Sequence, residues 1–252
     1  MQKPTDIGMN RTGIATSPID ARRTEKGAQI EAPMPTDGSF LEEERVRFAR
    51  EAFPVGTVPP PGTLKGVVKT AIEGLKGHKA TVFIDKLGER IAFERTGSRL
   101  YDALLAKLDA ADVHVGGPTR QELERIRDDE RAHFALVRDA MRQLGADPTA
   151  MTPCADVVGV ASLGWVHVLT DPRTTLTQCL DIILTAELAD NDGWSMLIEL
   201  AEGLGQNELA AKFRVALEEE DEHLAKVRTW ISAATLGEAG VAPTPEQPAS
   251  RA

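Results

Sequence analysis

The stretch ERAHF, residues 130 to 134, places Glu130 and His133 three positions apart in a segment whose other periodic residues are apolar. The same spacing recurs in EEEDEHL, residues 218 to 224, as Glu220 and His223. Residues three apart lie on one face of an α-helix, one turn from each other. A single Glu-x-x-His is a weak signal, but two such pairs in one chain indicate a common cause.

The surrounding chain predicts four long helices between about residues 81 and 232, with no alternating strand pattern. Thr119 with Glu122 predicts a capping box at the second helix, and Asp171 followed by Pro172 predicts the start of the third. Short loops join the first two helices and the last two, whereas residues 147–170 form a long connection between these pairs. This layout predicts an all-α fold, a four-helix bundle with one long crossover.

Alternating steps of three and four residues mark the side of each helix that faces a bundle core. On all four helices this side is apolar except near the middle, where carboxylates and imidazoles occur: Glu94, then Glu130 and His133, then Glu187 and Asp190, then Glu220 and His223. A buried, ionised carboxylate is costly unless positive charge is supplied. The same pattern finds no lysine or arginine on these sides, so the sequence predicts that metal ions supply the charge.

In the order and spacing of these residues the chain resembles the ferritin-like diiron-carboxylate superfamily. In that family two helices each contribute one glutamate and the other two each contribute Glu-x-x-His. The resemblance covers about residues 81 to 232. It implies that two metal ions, iron in preference to manganese, are bound by six residues: Glu94, Glu130, His133, Glu187, Glu220 and His223. The alternative is a solvent-filled or proton-sharing polar core.

Several residues near these six are further candidates. Tyr101 lies two turns after Glu94. In this it resembles a tyrosine of ferritins and rubrerythrins that contacts a ligand carboxylate or supplies an electron. It is the candidate catalytic residue, with a packing role as the equal alternative. The candidates for hydrogen bonds to the metal ligands are Asp190, Glu219 and Asp129. Direct metal binding by Asp190 is the alternative for that residue, and a solvated helix face is the alternative for the other two. Gly97, one turn from Glu94, either leaves room at the metals or allows close helix packing.

The resemblance implies a redox enzyme, a ferroxidase or peroxidase that consumes O2 or H2O2. The alternatives are an iron-storage cage of the ferritin type, a manganese catalase-like enzyme, and a bundle in which metal mainly stabilises the core. Rubrerythrins usually carry paired CxxC motifs that deliver electrons, whereas Cys154 and Cys179 form no such motif. The electron donor is therefore expected to be a separate, unknown molecule.

Composition limits the remaining partners and the domain organisation. The net charge of −10 argues against binding to nucleic acid or to anionic lipid. No secretory signal or membrane span is apparent, so we expect a cytoplasmic protein, and we also expect a homo-oligomer, a dimer or larger. The predicted segments are a mostly disordered arm over 1–62 with a short helix near 40–53, a short basic amphipathic helix over 63–79, the bundle over 80–233, and a disordered tail over 234–252.

Overall fold

A computed structural model describes residues 17–30, 38–60 and 78–241. Within these ranges all regular structure is helical and no strand occurs, which confirms the all-α class. The helices are α1 (Pro18–Ala28), α2 (Ser39–Glu51), α3 (His78–Leu108), α4 (Arg120–Gln143), α5 (Pro153–Ala161), α6 (Leu163–Thr170), α7 (Leu176–Gly203) and α8 (Asn207–Glu238).

The chain divides into two units, and α1 and α2 belong to the unit Lys3–Pro54. Helix α2 agrees with the predicted helix near 40–53, and Gly38 is its N-cap. Helix α1 was not predicted. Pro18 stands at its first turn, and the Ser17 hydroxyl donates to Asp20 Oδ2 over 2.6 Å. Residues 18–28 thus form a helix within the predicted arm.

The other unit contains the four long helices, and each of them packs against two of the others, in the order α3, α4, α8, α7 and back to α3. Two apolar clusters fill the space between them. The first includes Leu87, Trp194 and Phe213, and the second includes Leu104 and Ile183. The polar residues predicted for the helix centres lie along the chain between the members of these two clusters.

Three predicted boundaries differ from the structure. The first long helix begins at His78 rather than near residue 81. The third begins at Leu176, where Thr175 and Gln178 form the capping box, because Asp171 instead accepts from the backbone and guanidinium of Arg173. The last helix continues to Glu238, so the predicted tail does not begin at 234. Most of the predicted basic helix and the remainder of the tail lie outside the described residues.

The long connection contains α5 and α6, which pack on α3, and α6 also contacts α7. Residues Pro153–Thr170 form an 18-residue window of mean hydropathy 1.3, apolar and long enough by composition and length alone to cross a membrane. This finding corrects the expectation that no such stretch exists. The window is divided at Ser162 into helices of 9 and 8 residues, each shorter than the roughly 20 residues of a membrane span. The absence of a membrane partner stays a prediction.

Candidate metal centre

All six predicted ligands lie at the middle of the four long helices and are buried, with at most 2% of each residue exposed. Asp190 is equally buried, at 1%. The burial follows from the sequence pattern, because each of these residues occupies a core-facing position one or two turns from large apolar neighbours. The structure thus brings together every residue that the sequence predicted for the site.

Three overlapping groups of these side chains offer ligand atoms that all lie within 4.8 Å of one another. The groups are Glu130, Glu187, Glu220 and His223; Glu94, His133 and Glu220; and Glu94, Glu130, Asp190 and Glu220. Glu220 belongs to all three groups, so its carboxylate is at the centre of the cluster. The first two groups each contain one of the two histidines. Each group could therefore hold a metal ion, and all three groups share Glu220.

The two histidines are oriented by carboxylates on the opposite helix. His133 Nε2 lies 2.8 Å from Glu219 Oε2, and His223 Nε2 lies 3.2 Å from Asp129 Oδ2. Each outer carboxylate directly precedes a Glu-x-x-His pair, so α4 and α8 orient each other's imidazole. Outer hydrogen bonds of this kind fix the ring orientation of metal-binding histidines. Asp129 and Glu219 thus occupy the positions that the sequence analysis considered for them.

The inner nitrogen of each histidine is directed to Glu220. His223 Nδ1 is hydrogen-bonded to Glu220 Oε2 over 3.2 Å. His133 Nδ1 lies 2.7 Å from Glu220 Oε1, but the two atoms are not aligned as a hydrogen bond. Both imidazoles therefore present the Nδ1 atom to the centre of the cluster.

Within the described residues, several buried polar atoms at this centre have no hydrogen-bond partner. Five of the six predicted ligands contribute one such atom: Glu94 Oε2, Glu130 Oε2, His133 Nδ1, Glu187 Oε2 and Glu220 Oε1. Each unsatisfied buried polar group costs about 1–3 kcal/mol. A cation bound among these atoms would remove that cost, so the donor set fits a metal ion.

The carboxylates have strongly different proton affinities. Burial and the charge of Glu220 raise the pKa of Glu187 to about 8, and the same two causes raise the pKa of Glu130 well above its usual range. Burial alone would raise the pKa of Glu220 as well, but its contacts with His133 and His223 outweigh burial and lower it to about 2. Glu220 is therefore ionised at neutral pH, whereas Glu187 holds a proton when no metal is bound, and the raised pKa of Glu130 favours its protonated form.

The histidines take up protons in the same state. Burial would lower the pKa of His133, but the adjacent Glu220 and the charge of Glu94 raise it to about 9. For His223 the hydrogen bonds with Asp129 and Glu220 likewise outweigh burial and raise the pKa to about 10. Without metal, the cluster is thus a proton-sharing core. Metal binding would require these protons to leave.

Two aromatic residues contact the cluster from opposite ends. The buried Tyr101 donates a hydrogen bond from its hydroxyl to Glu187 Oε1. Burial and then the charge of Glu187 raise its pKa well above the usual value, so the hydroxyl keeps its proton. At the other end, the fully buried Trp194 meets the His133 ring edge-on, with 5.5 Å between centroids. Trp194 belongs to the first apolar cluster and so packs the core beside the site.

Gly97 leaves the space that the Glu130 carboxylate occupies. A Cβ at position 97 would lie 2.0 Å from Glu130 Oε2. The two alternatives for Gly97, close helix packing and room at the site, therefore coincide. The group that packs against Gly97 is the carboxylate of Glu130, a predicted ligand.

Arg90 corrects the prediction that no basic residue lies on the core-facing sides of the four helices. Its side chain is 4% exposed, and Nη2 donates to both Glu94 Oε1 and Asp190 Oδ1. Arg90 lies one turn before Glu94, so the spacing of the two residues was a signal that could have found it. The cluster therefore contains one fixed positive charge of its own.

Comparison of the chain with protein-family models, with curated proteins and with solved structures finds no match. Function is therefore inferred from the site.

Proposed function

We propose that the chain is a ferritin-like, dinuclear metal protein, with iron as the preferred metal, that reacts with O2 or H2O2 as a ferroxidase or peroxidase. One observation carries this proposal. Five predicted ligands each have a buried oxygen or nitrogen atom without a hydrogen-bond partner, and these residues form groups whose ligand atoms lie close enough together to bind one metal ion. The ring of four long helices with α5 and α6 in the crossover supports the ferritin-like part of the proposal.

Charge balance supports two ions rather than one. Five carboxylates are fully buried at the centre: Glu94, Glu130, Glu187, Asp190 and Glu220. Arg90 supplies one positive charge, and two divalent cations supply four more, so the cluster with neutral imidazoles is electrically neutral. A single divalent ion would leave two carboxylates to be neutralised by protons, at a cost typical of buried charge.

The donor set also bears on the choice of metal. Carboxylate and imidazole ligands suit iron and manganese alike. Manganese catalases resemble this chain in fold but typically lack the glutamate of the last helix, and Glu220 belongs to all three ligand groups here. This favours the diiron alternative. When bound, such a metal pair supplies electrons in steps to a small oxidant.

The chain's own side chains would perform the supporting tasks. Asp129 and Glu219 hold the two imidazoles with Nδ1 toward the cluster. The Tyr101 hydroxyl holds a proton beside Glu187 and is the only one of these groups that can donate an electron together with that proton. The surrounding apolar clusters keep bulk water from the centre.

Elemental analysis tests the proposal. Protein loaded anaerobically with Fe²⁺ should contain about two ions per chain, and a variant with both Glu130→Gln and Glu220→Gln should retain neither site, because Glu220 is shared and Glu130 belongs to two groups. The control is Glu218→Gln, since Glu218 is exposed on the same helix. Two ions retained in the double variant would contradict the ligand assignment, and no metal in the unaltered protein would contradict the function.

A further inference from the structure

The guanidinium of Arg90 occupies a cation position at the edge of the candidate metal centre. Its Nη2 atom donates to Glu94 and to Asp190, and these two carboxylates belong together to the third ligand group. Arg90 pairs α3 with α7 through these contacts, because Asp190 lies 100 residues further along the chain. Nη2 therefore occupies one oxygen of each carboxylate, Glu94 Oε1 and Asp190 Oδ1.

The surroundings keep the guanidinium in this place. Its carbon lies 4.6 Å from the centroid of the Phe93 ring and 5.2 Å from that of Trp194, and cation–π contacts of this kind are stronger when the cation is desolvated. A Cβ at Gly193 would lie 2.1 Å from Nη1, so the glycine provides the space for the group. A cavity of about 350 Å³ between α3 and α7 has Arg90 in its wall.

We propose that Arg90 is a positioning residue that withholds Asp190 from the metal ions and acts as a fixed third cation beside them. The proposal rests on the proposed function. It assigns Asp190 to Arg90 rather than to a metal, and it leaves Glu94 to serve both through separate oxygens: Oε1 accepts from Arg90, and Oε2 has no hydrogen-bond partner. Arginine suits this task, because its planar fork bridges two carboxylates and its charge persists at any physiological pH.

A double-mutant cycle on Mn²⁺ affinity tests the proposal. The four proteins are the unaltered chain, Arg90→Met, Asp190→Asn and the variant with both changes, each stripped of metal and titrated anaerobically with Mn²⁺. Methionine keeps an unbranched apolar stem at this position and removes the charge. With Arg90 present, Asp190→Asn should change the affinity by less than about threefold; in the R90M background the same change should weaken it by more than about tenfold, because freed Asp190 becomes a ligand.

The visible spectrum of bound Co²⁺ provides a second measurement, which would not change if Arg90 had only a structural role. Its visible absorption weakens as coordination number rises, so R90M protein loaded with Co²⁺ should absorb less than the unaltered protein, and Asp190→Asn should reverse the change. If R90M does not fold, Arg90→Lys replaces it in the cycle. Lysine keeps a point charge but not the fork, so the same coupling should appear with a smaller value.

The outcomes separate this inference from the proposed function. An equal effect of Asp190→Asn in both backgrounds, or an unchanged Co²⁺ spectrum in R90M, overturns the role of Arg90 while two bound ions in the unaltered protein leave the proposed function in place. Absence of metal from the unaltered protein overturns both. Coupling together with the spectral change supports the assignment of Arg90.

Discussion

Tyr101 joins the polar centre to the apolar cluster around α3 and α7, since its ring lies in the core and its hydroxyl donates to Glu187. Tyr101→Phe removes only the hydroxyl, so we expect the metal content to stay at its original value. Oxidation of bound Fe²⁺ should slow by about 10-fold to 100-fold, the usual effect of losing a hydrogen bond to a metal ligand. Iron analysis and stopped-flow absorbance measure the two quantities. Unchanged oxidation kinetics would assign Tyr101 to packing alone.

At the same residue scale, spacing predicted the positions that share a helix face but not the contacts across the bundle. Spacing placed the six predicted ligands and Asp190 on the core-facing sides, and the resemblance to the diiron family distinguished the six. Asp129 and Glu219 were candidates because they directly precede the two motifs. Arg90 was missed because the pattern of three and four steps selects Leu87 and Ile91 as the core-facing residues of that turn. Its pairing with Asp190 joins residues 100 positions apart, and nothing local in the sequence indicates it.

At the scale of the elements, α3 packs on α4 where Gly97 contacts the Glu130 carboxylate. Gly97→Ala should favour the helix by about 0.5–1 kcal/mol, while its Cβ displaces the Glu130 carboxylate, the mobile end of a flexible side chain. We therefore expect metal-free stability to be kept or raised and metal affinity to fall at least about tenfold. Urea unfolding and Mn²⁺ titration check the two effects.

Gly159→Ala is the matched control, because a Cβ at that helical position meets nothing within 4 Å. It should leave metal affinity unchanged. If Gly97→Ala binds metal as tightly as the unaltered protein, Glu130 does not serve as a ligand from its present position.

Element boundaries show why local signals are insufficient. Asp171-Pro172 and Thr175-x-x-Gln178 are both sound helix-start signals, and the structure uses the second. The choice depends on a distant residue: Lys107 of α3 donates to the Asp171 carbonyl, which also accepts from the Thr174 hydroxyl over 2.8 Å. These contacts hold residues 171–174 in a turn. Helices α5 and α6 were missed because their continuous apolar sequence lacks the three-and-four alternation.

At the scale of the whole molecule, the centre can be neutralised either by protons or by metal ions. Glu187 holds a proton at neutral pH in the folded, metal-free chain, the raised pKa of Glu130 favours its protonated form, and His133 and His223 are charged. Metal binding replaces these protons, so metal affinity is expected to rise with pH. The two forms should therefore respond to pH in different ways, and their stability tests the charge assignment of the entire bundle.

Metal-free stability should be greatest near pH 5 and should fall as the pH rises. The pKa of the Glu187 carboxyl is about 8 in the folded chain, against a usual value of 4.5. Glu187 therefore stabilises the folded state fully below pH 4.5, and this contribution is lost as the pH rises toward 8. The pKa values of His133 and His223 are about 9 and about 10 in the folded chain against a usual 6.5, so these residues stabilise fully below pH 6.5 and lose this contribution progressively up to pH 9 and pH 10 respectively. The pKa of Glu220 is lowered to about 2, so its effect on stability has the opposite sign. Its contribution is present above pH 4.5 and is lost as the pH falls from 4.5 toward 2.

Urea unfolding at pH 5, 7 and 9, with and without Mn²⁺, measures this balance. The midpoint of the metal-free chain should fall across the series, whereas that of the loaded chain should not, because bound ions replace the protons that high pH removes. Glu187→Gln is the control: its amide accepts from Tyr101 without titrating, so the decline between pH 5 and 8 should become shallower. A metal-free midpoint that is flat or rising from pH 5 to pH 9 would mean that the buried carboxylates are ionised without metal. The protein would then need a source of positive charge other than Arg90 and the two histidines.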